Sequence, residues 1–195
     1  MLAVVKYNAG NIRSVLNALR RLGADPVLTD DARLLQQADR VVFPGQGEAG
    51  SAMAYLRERG LDQVIRGLRQ PVLGVCVGQQ LLCQHSEEGD TDCLGIFSTD
   101  VRRFQPQTPD DKVPAMGWNR LFDLRSPLFA GLTDPYVYFV HSYYASECED
   151  SVLATAEYGA ELTAAVGREN VLGCQFHPEK SGPVGLNILR AFCEM

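Results

Sequence analysis

The chain has 195 residues, 46% of them hydrophobic and 22% charged, with a formal net charge of −6. That length suits one well-packed domain. The acidic balance lacks the basic footprint that nucleic acid or an anionic membrane surface needs, and no apolar run approaches the roughly 20 residues of a bilayer span.

Residues 3–7 are a short apolar run and the first expected strand, not the basic region and long apolar stretch of a signal peptide. Asn11 is placed to cap a helix whose Ile12, Val15, Leu16, Leu19 and Leu22 fall at helical spacing, and Gly23 ends it. A brief strand at 27–29, a helix at 31–38 and a buried strand at 41–43 follow. Residues 51–68 are helical with a break near Gly60, 72–75 is another buried strand, and a helix starts at about Val77. Apolar strands alternating with helices predict a three-layer α/β/α fold on an open, largely parallel sheet. The back half changes character, with strands expected at 96–104, 113–122, 136–143, 152–158, 163–166 and 171–176. Residues 167–170 fit a turn, and a last helix covers about 184–192. These strands predict an antiparallel extension. No repeat, low-complexity tract or linker divides residues 1–195, so a single domain is expected.

Six cysteines, at 76, 83, 93, 148, 174 and 193, form neither a CxxC pair nor a compact framework. Reduced thiols in the cytoplasm are the expectation. One of the six has a special setting. In Gly74-Val75-Cys76-Val77-Gly78 a buried strand gives way to a helix, with glycines two residues either side of the cysteine. This is the pattern of a nucleophile elbow, in which a reactive side chain occupies a tight turn that only small neighbours allow. Free N–H groups and the helix dipole favour a thiolate there, and the Val77 N–H can face an oxyanion formed beside it. Cys83, Cys93, Cys148 and Cys193 read as small buried hydrophobes.

A cysteine nucleophile needs a base. His85 follows the elbow helix and reads as solvent-facing, and His141 lies in a strand-like run. His177 is followed by Pro178 and Glu179. Proline biases His177 towards an extended conformation, in which residues two apart share a side. Glu179 can then brace one ring nitrogen and leave the other for Cys76. A surface turn is an equal reading of that segment taken alone. Cys174 with His177 lacks the second ligand pair of a metal site, so no metal is expected. The loop Pro44-Gly45-Gln46-Gly47 allows a close backbone approach to a ligand, as a second oxyanion donor or as a plain turn.

Together these segments resemble the class I, or triad, glutamine amidotransferases over essentially the whole chain. Gly74-Val75-Cys76-Val77-Gly78-Gln79-Gln80 matches the family pattern G-x-C-x-G-x-Q, and His177-Pro178-Glu179 matches H-P-E about a hundred residues later. Within the family, Tyr7-Asn8-Ala9-Gly10-Asn11, Met116-Gly117-Trp118-Asn119, Phe139-Val140-His141-Ser142-Tyr143 and the Lys180-Ser181-Gly182 continuation resemble glutaminase subunits of imidazole glycerol phosphate synthases, of histidine biosynthesis.

The resemblance implies a Cys76–His177–Glu179 triad that releases ammonia from L-glutamine, with no cofactor. It implies Gly47 and Val77 at an oxyanion hole, and Gly45, Gln80, Ser142 and Tyr143 at the substrate. It implies Asn11, Trp118 and Lys180 beside a cyclase subunit of (β/α)8-barrel fold, forming a heterodimer. Gln46 departs from the family, which usually has a small aliphatic residue there. The alternatives are a glutaminase subunit of pyridoxal phosphate, anthranilate or aminodeoxychorismate synthesis, a silent regulatory subunit, and a general cysteine hydrolase.

Overall fold

The computed structural model describes residues 1–106, 108, 112–146 and 148–195. The front half alternates as the spacing predicts: β1 (Leu2–Val5), α1 (Ile12–Arg21), β2 (Val27–Thr29), α2 (Ala32–Gln37), β3 (Arg40–Phe43), α3 (Ala49–Glu58), α4 (Leu61–Arg66), β4 (Val72–Val75) and α5 (Val77–Leu82). The back half follows with β5 (His85–Ser86), β6 (Thr91–Asp92), β7 (Asp100–Arg103), β8 (Ala115–Arg120), β9 (Tyr136–His141), β10 (Tyr143–Ala145), β11 (Val152–Tyr158), β12 (Ala160–Arg168), β13 (Val171–Cys174) and α6 (Gly182–Glu194).

The main sheet has seven strands in the order β11-β12-β13-β4-β3-β1-β2. Neighbours from β13 to β2 run parallel, and β12 is antiparallel to both β11 and β13. All four residues of β4 and of β13 are buried. Successive strand residues point to opposite faces, so both faces of the sheet are covered. A four-stranded sheet (β10-β7-β5-β6) and a β8–β9 ribbon complete the α/β architecture. Among the described residues no helix is long and apolar enough to cross a membrane.

Several local expectations are corrected. Residues 96–104 are not one strand. Ile96 and Phe97 donate their N–H groups to Leu82 O at the end of α5, and strand pairing starts only at Asp100. The strand expected at 163–166 extends over Ala160–Arg168, which confines the turn to the residues beyond it. Asn11 stands at the start of α1 with φ 65° and makes no side-chain cap bond. The break at Gly60 is real, with φ 66°. α3 begins two residues early because the Glu48 carboxylate accepts from Gly50 N and Ser51 N, both at 2.7 Å.

Candidate active site

β4 delivers Cys76 to the carboxyl edge of the sheet, where open α/β sheets place ligands. Cys76 has φ 52° and ψ −111°, a region that non-glycine residues enter only under surrounding constraint. The constraints are visible. Cys76 N donates to Cys174 O at 2.8 Å, and Gln80 N donates to Cys76 O at 3.1 Å. A methyl group at Gly78 would overlap the Phe43 carbonyl, and one at Gly74 would lie 2.7 Å from Leu82 Cδ1. Only glycine lets α5 sit this close to β3 and β4. Val77 opens the helix, so its N–H has no intrahelical acceptor and is free for an anion.

The structure brings Cys76, His177 and Glu179 together. His177 is extended, with φ −100° and ψ 95°, but the chain does not continue so: Pro178–Lys180 forms a 3-10 turn. The carboxylate therefore curls back onto the ring, in place of the side-by-side extended geometry expected from the sequence. Glu179 Oε1 accepts from His177 Nδ1 at 2.7 Å, and both side chains are fully buried. Because a carboxylate only accepts, the bond assigns the proton to Nδ1. Asn11 Nδ2 donates to the same oxygen, which is where its side chain goes instead of capping α1. His177 Nε2 is buried and meets no partner within ordinary hydrogen-bond geometry among the described residues. Burial pulls the imidazole down, but the Cys76 sulfur and the Glu179 carboxylate outweigh it and push His177 up to about 9.

A cleft open to solvent lies beside the sulfur. Gln46, Gly47, Cys76, Val77, Gln80, Ser142 and Tyr143 line it, together with Glu88 and His141. Gly47 has φ 153°, open to glycine and strained for other residues. Gln46 O accepts from Gly10 N at 2.6 Å. In a trans peptide the Gly47 N–H then faces away from Gly10. Gly45 does not line the cleft: a Cβ there would collide with the Tyr7 hydroxyl and lie 2.7 Å from Gly78 N.

Four cleft or supporting residues escape the sequence reading. Glu88 accepts from Ala49 N at 2.9 Å, and burial raises its carboxyl above the ordinary range. His141 donates from Nδ1 to Tyr143 O at 2.8 Å, and burial lowers it to about 4. Ser181 accepts from Tyr138 N at 2.9 Å and donates to His177 O at 2.6 Å. Gln175 is buried between Gln80 and Cys76. Its signal was a polar residue in the apolar run Val171-Leu172-Gly173-Cys174-Gln175-Phe176. His85 is also corrected: it is partly covered and lies between Asp90 and Asp92.

Trp118 stands apart from the cleft chemistry, 57% exposed on β8, with an edge contact to Tyr138 at 6.1 Å. Lys180 is half-buried in the turn that carries Glu179.

The family profile described as "Glutamine amidotransferase class-I" matches residues 3–195. The chain is 54% identical over 194 residues to "Imidazole glycerol phosphate synthase subunit HisH" of Bacteroides thetaiotaomicron, covering 99% of this chain and 98% of the relative. It is 45% identical to the protein of the same name from Methanothermobacter thermautotrophicus, covering 100% of this chain and 98% of the relative. A solved structure described as "Crystal structure of glutamine amidotransferase" superposes with a TM-score of 0.76 at 22% identity, covering 98% of this chain and 97% of that one, a likeness of fold.

Proposed function

We propose that this chain, which belongs to the class I glutamine amidotransferase family, is the glutaminase subunit of an imidazole glycerol phosphate synthase. Residues 1–195 act as one domain. They hydrolyse L-glutamine and pass the ammonia to a cyclase subunit of (β/α)8-barrel fold, with which they form a heterodimer in histidine biosynthesis. The observation that carries the reading is the strained Cys76 turn at a cleft, backed by a buried His177–Glu179 pair whose Nε2 is left free.

In this reading the Cys76 thiolate attacks the side-chain carbonyl carbon of glutamine. The oxyanion forms against the Val77 N–H and the Gly47 N–H. An imidazole held protonated at neutral pH is the form needed next: His177 gives its Nε2 proton to the departing nitrogen, the C–N bond breaks, and ammonia leaves. Water then loses a proton to His177 and attacks the thioester carbonyl. Glutamate departs and the thiolate returns. No cofactor takes part. Ammonia released into water at neutral pH would become ammonium, which is not nucleophilic, so a sealed path to the cyclase preserves its reactivity.

The substrate's charged end also finds partners. Gln80 Nε2 spends both hydrogens, on Tyr143 O at 2.9 Å and Gln175 Oε1 at 3.0 Å. It therefore offers a ligand only its carbonyl oxygen, which suits the α-ammonium group, with the Glu88 carboxylate as counter-charge. The backbone of Ser142 and Tyr143 remains for the rest of the amino-acid end. Gly45 acts at one remove, by packing the loop. Six free thiols fit a reducing compartment such as the cytosol.

The test is glutamine hydrolysis by wild type and Cys76→Ala in the presence of the cyclase. Turnover should vanish in the variant while the complex still forms, since a buried sulfur is exchanged for a methyl group. Residual turnover near the wild-type rate would sink the assignment.

A further inference from the structure

We infer that Gln175 is a catalytic residue of this site: its side-chain amide donates a hydrogen bond to the Cys76 sulfur and stabilises the thiolate, in a relay anchored on the Tyr143 carbonyl. The inference rests on Cys76 being the nucleophile and deepens that reading.

The orientation of the relay follows from one unambiguous group. A backbone carbonyl can only accept, so the atom of Gln80 that lies 2.9 Å from Tyr143 O must be its NH2. That same nitrogen is 3.0 Å from the Gln175 side-chain oxygen, which fixes Gln175 as the acceptor at this end. Its other end is then the NH2 group, 3.6 Å from Cys76 Sγ. Reversing the Gln175 amide would set two NH2 groups against each other and a carbonyl against the sulfur. The polarity is thus set by a peptide two contacts away.

The placement serves chemistry more than packing. Gln175 is fully buried, and its backbone N–H is already held by Ala164 O at 2.8 Å, so the strand end does not need the side chain. A buried amide is costly unless its groups are satisfied. Here one of its donors is satisfied by a sulfur, a weak acceptor as a thiol and a strong one as a thiolate. A hydrogen bond of this kind favours the charged form. It also leaves the sulfur's remaining lone pairs towards the cleft and His177. The other five thiols are pushed up by burial, which keeps background alkylation at them low.

The experiment measures the second-order rate of Cys76 alkylation by chloroacetamide, located by mass spectrometry, and glutaminase kcat and KM with the cyclase. Gln175→Met removes the donor at nearly constant length. It should slow alkylation at pH 7 by roughly tenfold or more, the scale of one hydrogen bond to a charged group, and lower kcat in parallel. Gln175→Glu keeps the acceptor for Gln80 and remains informative if the Met variant does not fold. Its deficit should grow from pH 6 to pH 8.5 as the carboxylate ionises beside the sulfur. Wild-type alkylation rates in the folded variants overturn the inference, and so does a rise confined to KM, which would make Gln175 only a support for Gln80. Failure of the wild type itself to alkylate at Cys76 would overturn the nucleophile assignment, and this inference with it.

Discussion

Two buried histidines hold opposite protonation states at neutral pH, and this shapes how the protein should respond to pH. His177 is raised to about 9, so its imidazolium stabilises the fold fully below the ordinary histidine value of 6.5, and that stability is lost as pH climbs towards 9. His141 is lowered to about 4 by burial, and the charge of His177 adds to the cost of protonating it. Its contribution is complete above pH 6.5 and is lost as pH falls towards 4. The two limbs predict maximal stability near pH 6.5. Urea denaturation across pH 4 to 9.5 should show it, with an alkaline loss on the order of 3 kcal/mol. Cys76→Ala should flatten the alkaline limb selectively, because the sulfur is one of the two groups that raise His177. An unchanged limb would mean that sulfur and ring do not interact. The sequence made Cys76 and His177 visible because glycine spacing and proline are local signals. His141 was opaque and Gln175 stood out only as a polar residue in an apolar run, since their roles come from contacts with Tyr143, Gln80 and Cys76 that no spacing encodes.

At the scale of elements, the part that decides the base is the junction of β9, the 178–180 turn and α6. His177 N donates to Tyr138 O at 2.9 Å, and Ser181 bridges Tyr138 N to His177 O. α6 then presses on the turn so closely that a methyl group at Gly185 would overlap the Pro178 carbonyl. Ser181→Ala should therefore cost about 1–3 kcal/mol of stability, the range for leaving a buried donor unsatisfied. It should also lower kcat with the cyclase more than it raises KM, because the base and not the substrate site is loosened. Ser181→Thr, which keeps the hydroxyl, should recover part of kcat; equal activity in all three proteins would show the bridge to be incidental. The strands and helices that carry this junction were legible from apolar periodicity. The turn was not. Pro178 constrains His177 and its own φ but leaves Glu179 free to curl, and the packing of Gly185 decides which way it goes.

For the whole molecule, the sheet order places nucleophile and base just past the carboxyl ends of adjacent parallel strands, β4 and β13, although they are about a hundred residues apart in the chain. Parallel pairing of Val75 with Cys174 puts the next residues of both strands at the same edge. The alternation of strands and helices foretold a parallel sheet but not its strand order, which depends on tertiary packing. Next to His177 lies the β8–β9 ribbon, whose Tyr138 carbonyl accepts from His177 N. Met116, Trp118 and Tyr136 are 64%, 57% and 51% exposed. The register sets Trp118 opposite Tyr138 and Arg120 opposite Tyr136, so all three exposed side chains share one face. Exposed apolar side chains gather on that face, and Tyr138 links it by a backbone bond to His177. A cyclase seated there would press on the strand that positions the base. Trp118→Ala should weaken the complex tenfold to a hundredfold, as loss of a central aromatic anchor does, with little change in the melting temperature of the free chain. Glutaminase turnover at saturating cyclase should recover most of the loss seen at limiting cyclase. Titration calorimetry with both proteins measures the first effect and a turnover series over cyclase concentration the second. Unaltered affinity would place the partner on another face and remove the mechanical link between docking and base.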